Sequence, residues 1–258
     1  MRKEIGILIQ ARLSSSRLPG KILFRLGNSS YNSLSLITKR LGKLGKSYKI
    51  IVLTTKDKCD DAIVYECRKL KLDYFRGRKH DVLDRFYNAS KESNLKTIIR
   101  LTSDCPFVDP NEISRVLEIH KKSGSDYTTN SFENSTIIDG MDVEVFSFNA
   151  LEIAQRNAQL PSEREHVTFY FTNNSDFIVT KTDPNLNYPY LRLTLDTPND
   201  YECISELINN IDAPQKIGMR EIAQYFYENN FQKFNINIEK NSGWVSSFEA
   251  DKKFLDNK

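Results

Sequence analysis

Apolar runs of strand length alternate along this chain with segments of helical periodicity, and that alternation narrows the fold more than any other feature. Ile5-Gly-Ile-Leu-Ile9 is the first run. Ile50-Ile-Val-Leu-Thr-Thr55 is β-branched and unbroken, as in a strand buried on both faces. Thr97-Ile-Ile-Arg-Leu-Thr102 is a third, and short strands are expected at Leu72 to Phe75 and Asp126 to Thr129. Between them lie the stripes Leu34, Ile37, Leu41, Leu44; Ala62, Ile63, Cys67, Leu70; Val82, Leu83, Phe86, Tyr87, Ser90; and Ile113, Val116, Leu117, His120. Asp109-Pro110 gives the last stripe an N-cap and a first-turn proline. Strand–helix alternation with short links predicts an α/β sandwich with a mostly parallel sheet. In such sheets ligands bind beyond the carboxyl ends of the strands.

Gln10-Ala-Arg-Leu-Ser-Ser-Ser-Arg-Leu-Pro-Gly-Lys21 follows the first run directly. It carries Arg12, Arg17 and Lys21, no acidic residue, and the hydroxyls of Ser14 to Ser16. A strand that empties into a short, basic, hydroxyl-rich loop has the chemistry of a polyphosphate cradle. Cations neutralise phosphate charge, and hydroxyl and backbone N–H groups donate to phosphate oxygens. Pro19-Gly20 turns the backbone at the loop's end. A solvated basic connection is the alternative. The spacing is neither that of a Walker loop nor that of the glycine-rich dinucleotide fingerprint.

Two carboxylates stand at matching places. Asp104 follows the Thr97 to Thr102 run, Asp196 follows Tyr190-Leu-Arg-Leu-Thr-Leu195, and each precedes a proline by two residues. At the carboxyl ends of parallel strands both face the ligand crevice, where hard oxygen donors suit Mg²⁺ bound together with substrate phosphates. Capping of the following turn or helix competes with that role, and Thr197-Pro198 is itself an expected helix start. Arg76, Asp81 and Arg85 lie at a strand end and the next helix start, placed for base or ribose; Asp81 also suits the helix dipole. Asp142 and Glu144 share a face of an expected half-exposed strand, Ile138 to Phe146, either as a pocket wall or as a solvated edge. Ser162-Glu-Arg-Glu165 reads as a capping box opening a helix through Phe171, which gives Glu165 a structural task. His166 is an acceptor contact or a structural histidine, and His120 belongs to an apolar helix face. Cys105 has no basic dyad and is not read as a nucleophile.

From about Asn130 to Tyr190 the alternation lapses, with a strand expected at Phe177 to Thr180. This suggests an inserted α+β subdomain that covers the site or pairs with another subunit. The regular pattern resumes with Ile204, Leu207 and Ile208 and a last helix over Ile217 to Tyr227. The expected organisation is one domain over residues 1–229, holding the insertion 130–190, and an extension over 230–258 with the only tryptophan, Trp244. A net charge of +3 is too small to indicate nucleic acid as a partner. No apolar run nears the ~20 residues that span a bilayer. Four scattered cysteines and the lack of a signal-peptide core predict a cytoplasmic protein with reduced thiols, and three histidines argue against a Cys/His zinc site.

Read together, these residues resemble a known family. Ile5 to Lys21 resembles the opening signature of the cytidylyltransferases that activate acidic sugars, such as CMP-Kdo synthetase. Phe75-Arg-Gly77, Asp81-Val-Leu-Asp-Arg85, Arg100-Leu-Thr-Ser-Asp-Cys-Pro106, Asp139-Gly-Met-Asp-Val-Glu-Val-Phe146, Ser162-Glu-Arg-Glu-His-Val167 and Leu195-Asp-Thr-Pro-Asn-Asp200 resemble, as an ordered set, the spore-coat polysaccharide biosynthesis branch of that superfamily. The resemblance spans roughly residues 4 to 225. It implies a three-layer α/β/α sandwich of the nucleotide-diphospho-sugar transferase type. It also implies Mg²⁺-dependent transfer of a cytidylyl group from CTP to a sugar or sugar-like acceptor, with release of pyrophosphate. By the same resemblance Arg12, Ser15, Arg17 and Lys21 hold the triphosphate, Gln10, Ala11 and Thr102 lie beside the nucleotide, and Asp104 and Asp196 bind metal. Asp142, Glu144, Arg164 and His166 are the expected acceptor-pocket residues, and a homodimer through the insertion is expected. Gln10 stands where the CMP-Kdo enzymes have proline, and Thr102-Ser103 where they have Gln-Gly.

Two rival readings differ in class. A glycosyltransferase should carry an Asp-x-Asp metal motif, where this chain has Asp57-Lys-Cys-Asp60 and Asp139-Gly-Met-Asp142. A catalytically silent nucleotide-binding module has no need of the full set of basic and acidic residues found here.

Overall fold

The computed structural model describes residues 4–186, 188, 191–234, 238 and 242–256. The apolar runs form β1 (Ile5–Gln10), β2 (Lys49–Thr55), β3 (Asp73–Gly77), β4 (Thr97–Thr102), β5 (Tyr127–Thr129), β6 (Glu144–Ser147) and β7 (Val179–Lys181). They make a seven-stranded sheet in the order β3-β2-β1-β4-β6-β5-β7. Every pairing is parallel except those of β6, which runs antiparallel between β4 and β5. Gln10 pairs in register with Thr102 and with Leu53, so β1 and β4 release their loops at one level.

Alternation along β1 explains the layers. Ile7 and Ile9 pack on one face with α1 (Ser33–Leu41) and α2 (Asp61–Leu70), while Leu8 packs on the other with α3 (Val82–Glu92). The first face also receives α4 (Pro110–Ser123) and the second α5 (Phe148–Asn157). A strand buried on both sides must read as a continuous apolar run, which is why β1, β2 and β4 are so visible in the sequence. The α5 side continues into α6 (Pro161–His166) and α7 (Phe169–Thr172). A third core lies off the sheet, where α8 (Pro198–Asn209) and α9 (Met219–Glu228) enclose Ile138, Met141, Leu191, Leu193 and Leu195. The last described helix, α10 (Ser242–Asp256), lies against α6. Among the described residues no helix is long and apolar enough to cross a membrane. His120 is buried as expected and shares a hydrogen bond with Thr128 through Nδ1.

Three local expectations are corrected. Residues 138–143 are not part of a strand of the sheet: a turn closes over Ile138 to Met141 (Met141 N to Ile138 O, 2.9 Å), and Ile138, Met141 and Val143 are all buried. Gly140 makes that turn at φ +100°, and a Cβ there would come within 2.7 Å of the Leu193 carbonyl carbon. The expected strand over 190–195 is an extended segment outside the sheet, and Tyr190 lies outside the described residues. Its backbone bonds Asp139 (Leu193 N to Asp139 O, 2.7 Å) and Asp104 (Leu195 N to Asp104 O, 2.7 Å). The helix expected over 162–171 breaks at Val167, whose φ is +62°. Its start is capped by Glu163, which accepts from the N–H groups of Gln159 and Leu160, leaving Glu165 free of that task. Residues 130–190 contribute β6 and β7 to the common sheet.

Candidate active site

Three segments meet beyond the carboxyl ends of β1 and β4. The first is the basic loop. Its Leu13 N–H is held by the buried carboxylate of Asp60 at 2.8 Å, and the Leu13 carbonyl accepts from both Ser15 and Gly20, which folds the loop back on itself. Lys21 is thereby buried, and its Nζ bonds Asp104 Oδ2 at 2.9 Å and Asp196 Oδ1 at 2.5 Å. Arg17 Nη2 takes the other Asp196 oxygen at 2.5 Å.

The second and third segments are Arg100-Leu-Thr-Ser-Asp104 and Arg192-Leu-Thr-Leu-Asp196. In both, alternate residues face a shared cleft of about 490 Å³: Arg100, Thr102 and Asp104 from one, Arg192, Thr194 and Asp196 from the other. Leu101, Leu193 and Leu195 between them are buried in the cores, and Ser103 is buried at the cleft's edge. Burial by itself would raise the Asp104 carboxyl; the Lys21 ammonium and the Thr102 hydroxyl outweigh it and hold it down to about 2. Burial likewise opposes the charge on Lys21, but the two carboxylates win and its pKa is raised. Asp142 has the opposite fate: burial, and then Asp139 beside it, push its carboxyl up to about 6. Burial pushes the Cys105 thiol well up, so it is no thiolate nucleophile.

Of the expected residues, Gln10, Ala11, Arg12, Ser15, Arg17, Lys21, Arg85, Thr102, Asp104, Asp142, His166 and Asp196 all line this cleft. Some residues that line the cleft carry buried polar atoms without a partner among the described residues: Gln10 Oε1, Nε and Nη1 of Arg85, and Nε of Arg100. Buried polar atoms are normally paired, so these are the groups a polar ligand would satisfy. Arg85 reaches its place past Gly77, where a Cβ would lie 2.5 Å from its Cγ. Burial lowers its guanidinium to about 10, leaving it charged at neutral pH.

Other expected residues lie off the cleft wall. Arg76 is tied to Asp61, the Thr55 carbonyl and the Asp57 carbonyl at the end of β2. Asp81 caps α3 and pairs with Arg164 at 2.6 Å, so each occupies the other. Glu144 is engaged by Arg100, Tyr127 and Thr168 and lines a second cavity, of about 390 Å³. That cavity adjoins the cleft through Arg100, Thr102, Asp142 and His166. Burial, then the nearby Arg100, lowers the His166 pKa, so the ring is neutral at pH 7.

The sequence reading did not place Arg100, Arg192 and Thr194 in the site, and it grouped Asp139 with Asp142 and Glu144 without a role. The signal was available: Arg100 and Thr102 share a face of β4, and along an extended segment Arg192 and Thr194 point the same way as Asp196. Asp139 shows only through the fold, where its carboxylate bonds Arg192 at 2.7 Å and Thr194 at 2.9 Å.

Asp104 and Asp196 converge on one ammonium and so form a cation site. Among the described residues no group of three His, Cys, Asp or Glu side chains is gathered for a metal. Two carboxylates alone fit a hard ion that keeps water and phosphate oxygens in its shell, and do not fit a protein-caged zinc.

A mostly parallel sheet, with a basic loop after its first strand and paired carboxylates on the same rim, has its ligand site beyond the carboxyl ends of its strands. The family described as cytidylyltransferase matches residues 6–236, and the chain belongs to that family; it is a nucleotidyltransferase. An uncharacterized protein of Methanocaldococcus jannaschii is 39% identical over 244 residues, covering 93% of this chain and 97% of that one. The spore coat polysaccharide biosynthesis protein SpsF of Bacillus subtilis is 33% identical over 234 residues, covering 88% and 95%. A solved cytidylyltransferase from Leptospira borgpetersenii superposes with a TM-score of 0.82 at 31% identity, covering 90% and 97%. A CMP:2-keto-3-deoxy-manno-octonic acid synthetase solved with CTP shares the fold at a TM-score of 0.60 and 16% identity, covering 80% and 98%.

Proposed function

We propose that this chain transfers a cytidylyl group from CTP to a sugar or sugar-like acceptor, with release of pyrophosphate, in the assembly of a surface polysaccharide or glycoconjugate. One observation carries the reading: Arg17 and Lys21 of the basic loop meet Asp104 and Asp196 in a cleft that opens, across Asp142 and His166, into a second cavity. That arrangement offers one chamber to a triphosphate and one to an acceptor, with the reacting atoms between. The name of SpsF supports the pathway class, and the CTP bound in the related synthetase supports the nucleotide.

An acceptor hydroxyl or phosphate oxygen attacks the α-phosphorus in line. Arg12, Arg17 and Lys21 stabilise the departing pyrophosphate, the electrostatic contribution that is usually largest, and Ser15 adds a hydroxyl donor. Arg17 and Lys21 bond the two carboxylates in the cleft that would take the phosphates. Gln10, Ala11, Arg85 and Thr102 receive the base and ribose, and the unpartnered Gln10 and Arg85 atoms supply the polar contacts. Asp142 and His166 orient the acceptor, which lowers the entropic part of the barrier. Glu144 holds Arg100, and the Asp81–Arg164 pair supports the wall behind Arg85. A Mg²⁺ ion on Asp104 and Asp196 would neutralise phosphate charge during transfer. The assembly proposed is a cytoplasmic homodimer, for which sedimentation gives the molecular mass.

The test is calorimetric titration with CTP, ATP, GTP and UTP, each with Mg²⁺. CTP should bind selectively, and Arg17→Ala should weaken it about tenfold, the loss of one charge-assisted phosphate contact. Preference for another nucleotide would overturn the choice of cytosine.

A further inference from the structure

The helix α10 lies beyond residue 236, where the family match ends, yet it supplies part of the second cavity. It is anchored on α6 along one face. Asp251 Oδ1 accepts from the Ser162 N–H at 2.9 Å, and Ser247 Oγ meets His166 Nε2 at 2.8 Å. Both anchors are buried. Between them Phe248 stacks on Phe169, with centroids 5.7 Å apart and planes at 14°, and Phe169 stacks in turn on His166 at 4.5 Å.

Phe248 is different from its anchored neighbours. It keeps 46% of its surface exposed and lines the cavity. The end of the cavity shared with the cleft is polar, with Arg100, Thr102, Asp142 and His166; beyond it Phe132, Phe169 and Phe248 stand among polar side chains such as Glu133, Glu144 and Lys181. An exposed aromatic ring in a pocket that is otherwise largely polar offers the flat apolar surface that the C–H face of a polar ligand can cover.

We propose that Phe248 is a specificity-determining residue for the acceptor: it takes the C–H face of a ring-form sugar whose hydroxyl or phosphate points toward Asp142 and His166. The inference rests on the cytidylyl-transfer reading above. A ring sugar presents a flat patch of C–H groups that removes the exposed aromatic face from water, whereas a short open-chain polyol has no such continuous patch.

The full-length protein is compared with Phe248→Ala and Phe248→Tyr by two measurements: CTP affinity in Mg²⁺ by calorimetry, and pyrophosphate release from CTP. The probes are N-acetylneuraminate and N-acetylglucosamine 1-phosphate as ring forms and glycerol 3-phosphate as the open chain. The expected result is that Phe248→Ala raises the KM of an accepted ring-form probe about tenfold. CTP affinity then stays within twofold, and Phe248→Tyr keeps the wild-type KM. An unchanged ring-form KM in Phe248→Ala, or a wild type that uses only glycerol 3-phosphate, overturns the inference and leaves cytidylyl transfer standing. A parallel tenfold loss of CTP affinity also overturns it, because α10 would then be serving the nucleotide. A wild type that binds no CTP, or releases no pyrophosphate with any probe, brings down the transfer reading itself and this inference with it.

Discussion

Arg100-Leu-Thr-Ser-Asp104 and Arg192-Leu-Thr-Leu-Asp196 bring the same order of arginine, threonine and aspartate into one cleft from two different scaffolds. The first arm is the end of a central strand, bonded by β1 on one side and β6 on the other. The second is outside the sheet. A few backbone bonds to Asp139 and Asp104 hold it, together with Arg192, which reaches Asp139 at 2.7 Å, the fully buried Asp200 at 2.9 Å and Asp196 at 3.6 Å. The contrast separates two jobs that a β-strand usually does together. Alternation aims side chains at the substrate in both arms. The ladder supplies rigidity in one, and a charge network supplies it in the other.

The largest effect should fall on the two aspartates, where the arms are equivalent. Asp104→Asn and Asp196→Asn are each expected to lower kcat about a thousandfold while circular dichroism stays native. Retained activity in one of them, measured by pyrophosphate release, would break the equivalence. The arginines should behave unequally. Arg192→Met takes the guanidinium from the fully buried Asp200 and from Asp139, while Asp196 keeps Arg17 and Lys21, and should cost about 3–5 kcal/mol in urea unfolding. Arg100→Met strands only Glu144, which keeps Tyr127 and Thr168, and should cost about half as much. Equal losses would show that charge does not hold the second arm.

Gly140→Ala tests the second arm without touching the cleft. A side chain at φ +100°, pressed on the Leu193–Thr194 backbone, should cost about 1–3 kcal/mol and shift Asp196 enough to lower kcat by up to about a hundredfold. The smallest effect is on pH. A carboxyl raised from its ordinary 3.8 to about 6, as at Asp142, favours the folded state only while protonated. Its contribution is complete below 3.8 and is lost as pH rises through 6. Asp142→Asn should therefore raise stability at pH 7.5 by on the order of 1–2 kcal/mol and by much less at pH 4. Melting at both pH values checks this. Asp104, held down by Lys21, should show the opposite sign at pH 7.5.

Much of the first arm was legible because the sheet advertises itself. β1, β2 and β4 are continuous apolar runs, and the loop and aspartate that leave them fall on the predicted rim. The second arm was legible only in part. Asp196 stood out beside a proline and a helix cap, but the segment before it mimics a sheet strand, since Leu191, Leu193 and Leu195 alternate against an off-sheet core. Periodicity reports which residues are buried and not what buries them. The Ile138 to Phe146 stretch misled as a strand for a related reason: Asp139 and Asp142 are half-buried on the cleft wall, and Glu144 is buried against Arg100, Tyr127 and Thr168. Asp81 and Arg164 were chosen singly, and nothing local shows that residues 83 positions apart engage each other.

The place of β6 has a consequence for how the molecule comes together. It separates β4 from β5, although β5 is made first. As synthesis proceeds, β1 to β4 can pair as soon as Thr102 has emerged, but Tyr127–Thr129 has no edge to join until Glu144–Ser147 has folded back antiparallel onto β4. Until then the apolar edge of β4 stands open, the kind of surface on which nascent chains associate wrongly. The late, non-local closure of β6 should therefore set both the folding rate of this chain and its tendency to aggregate.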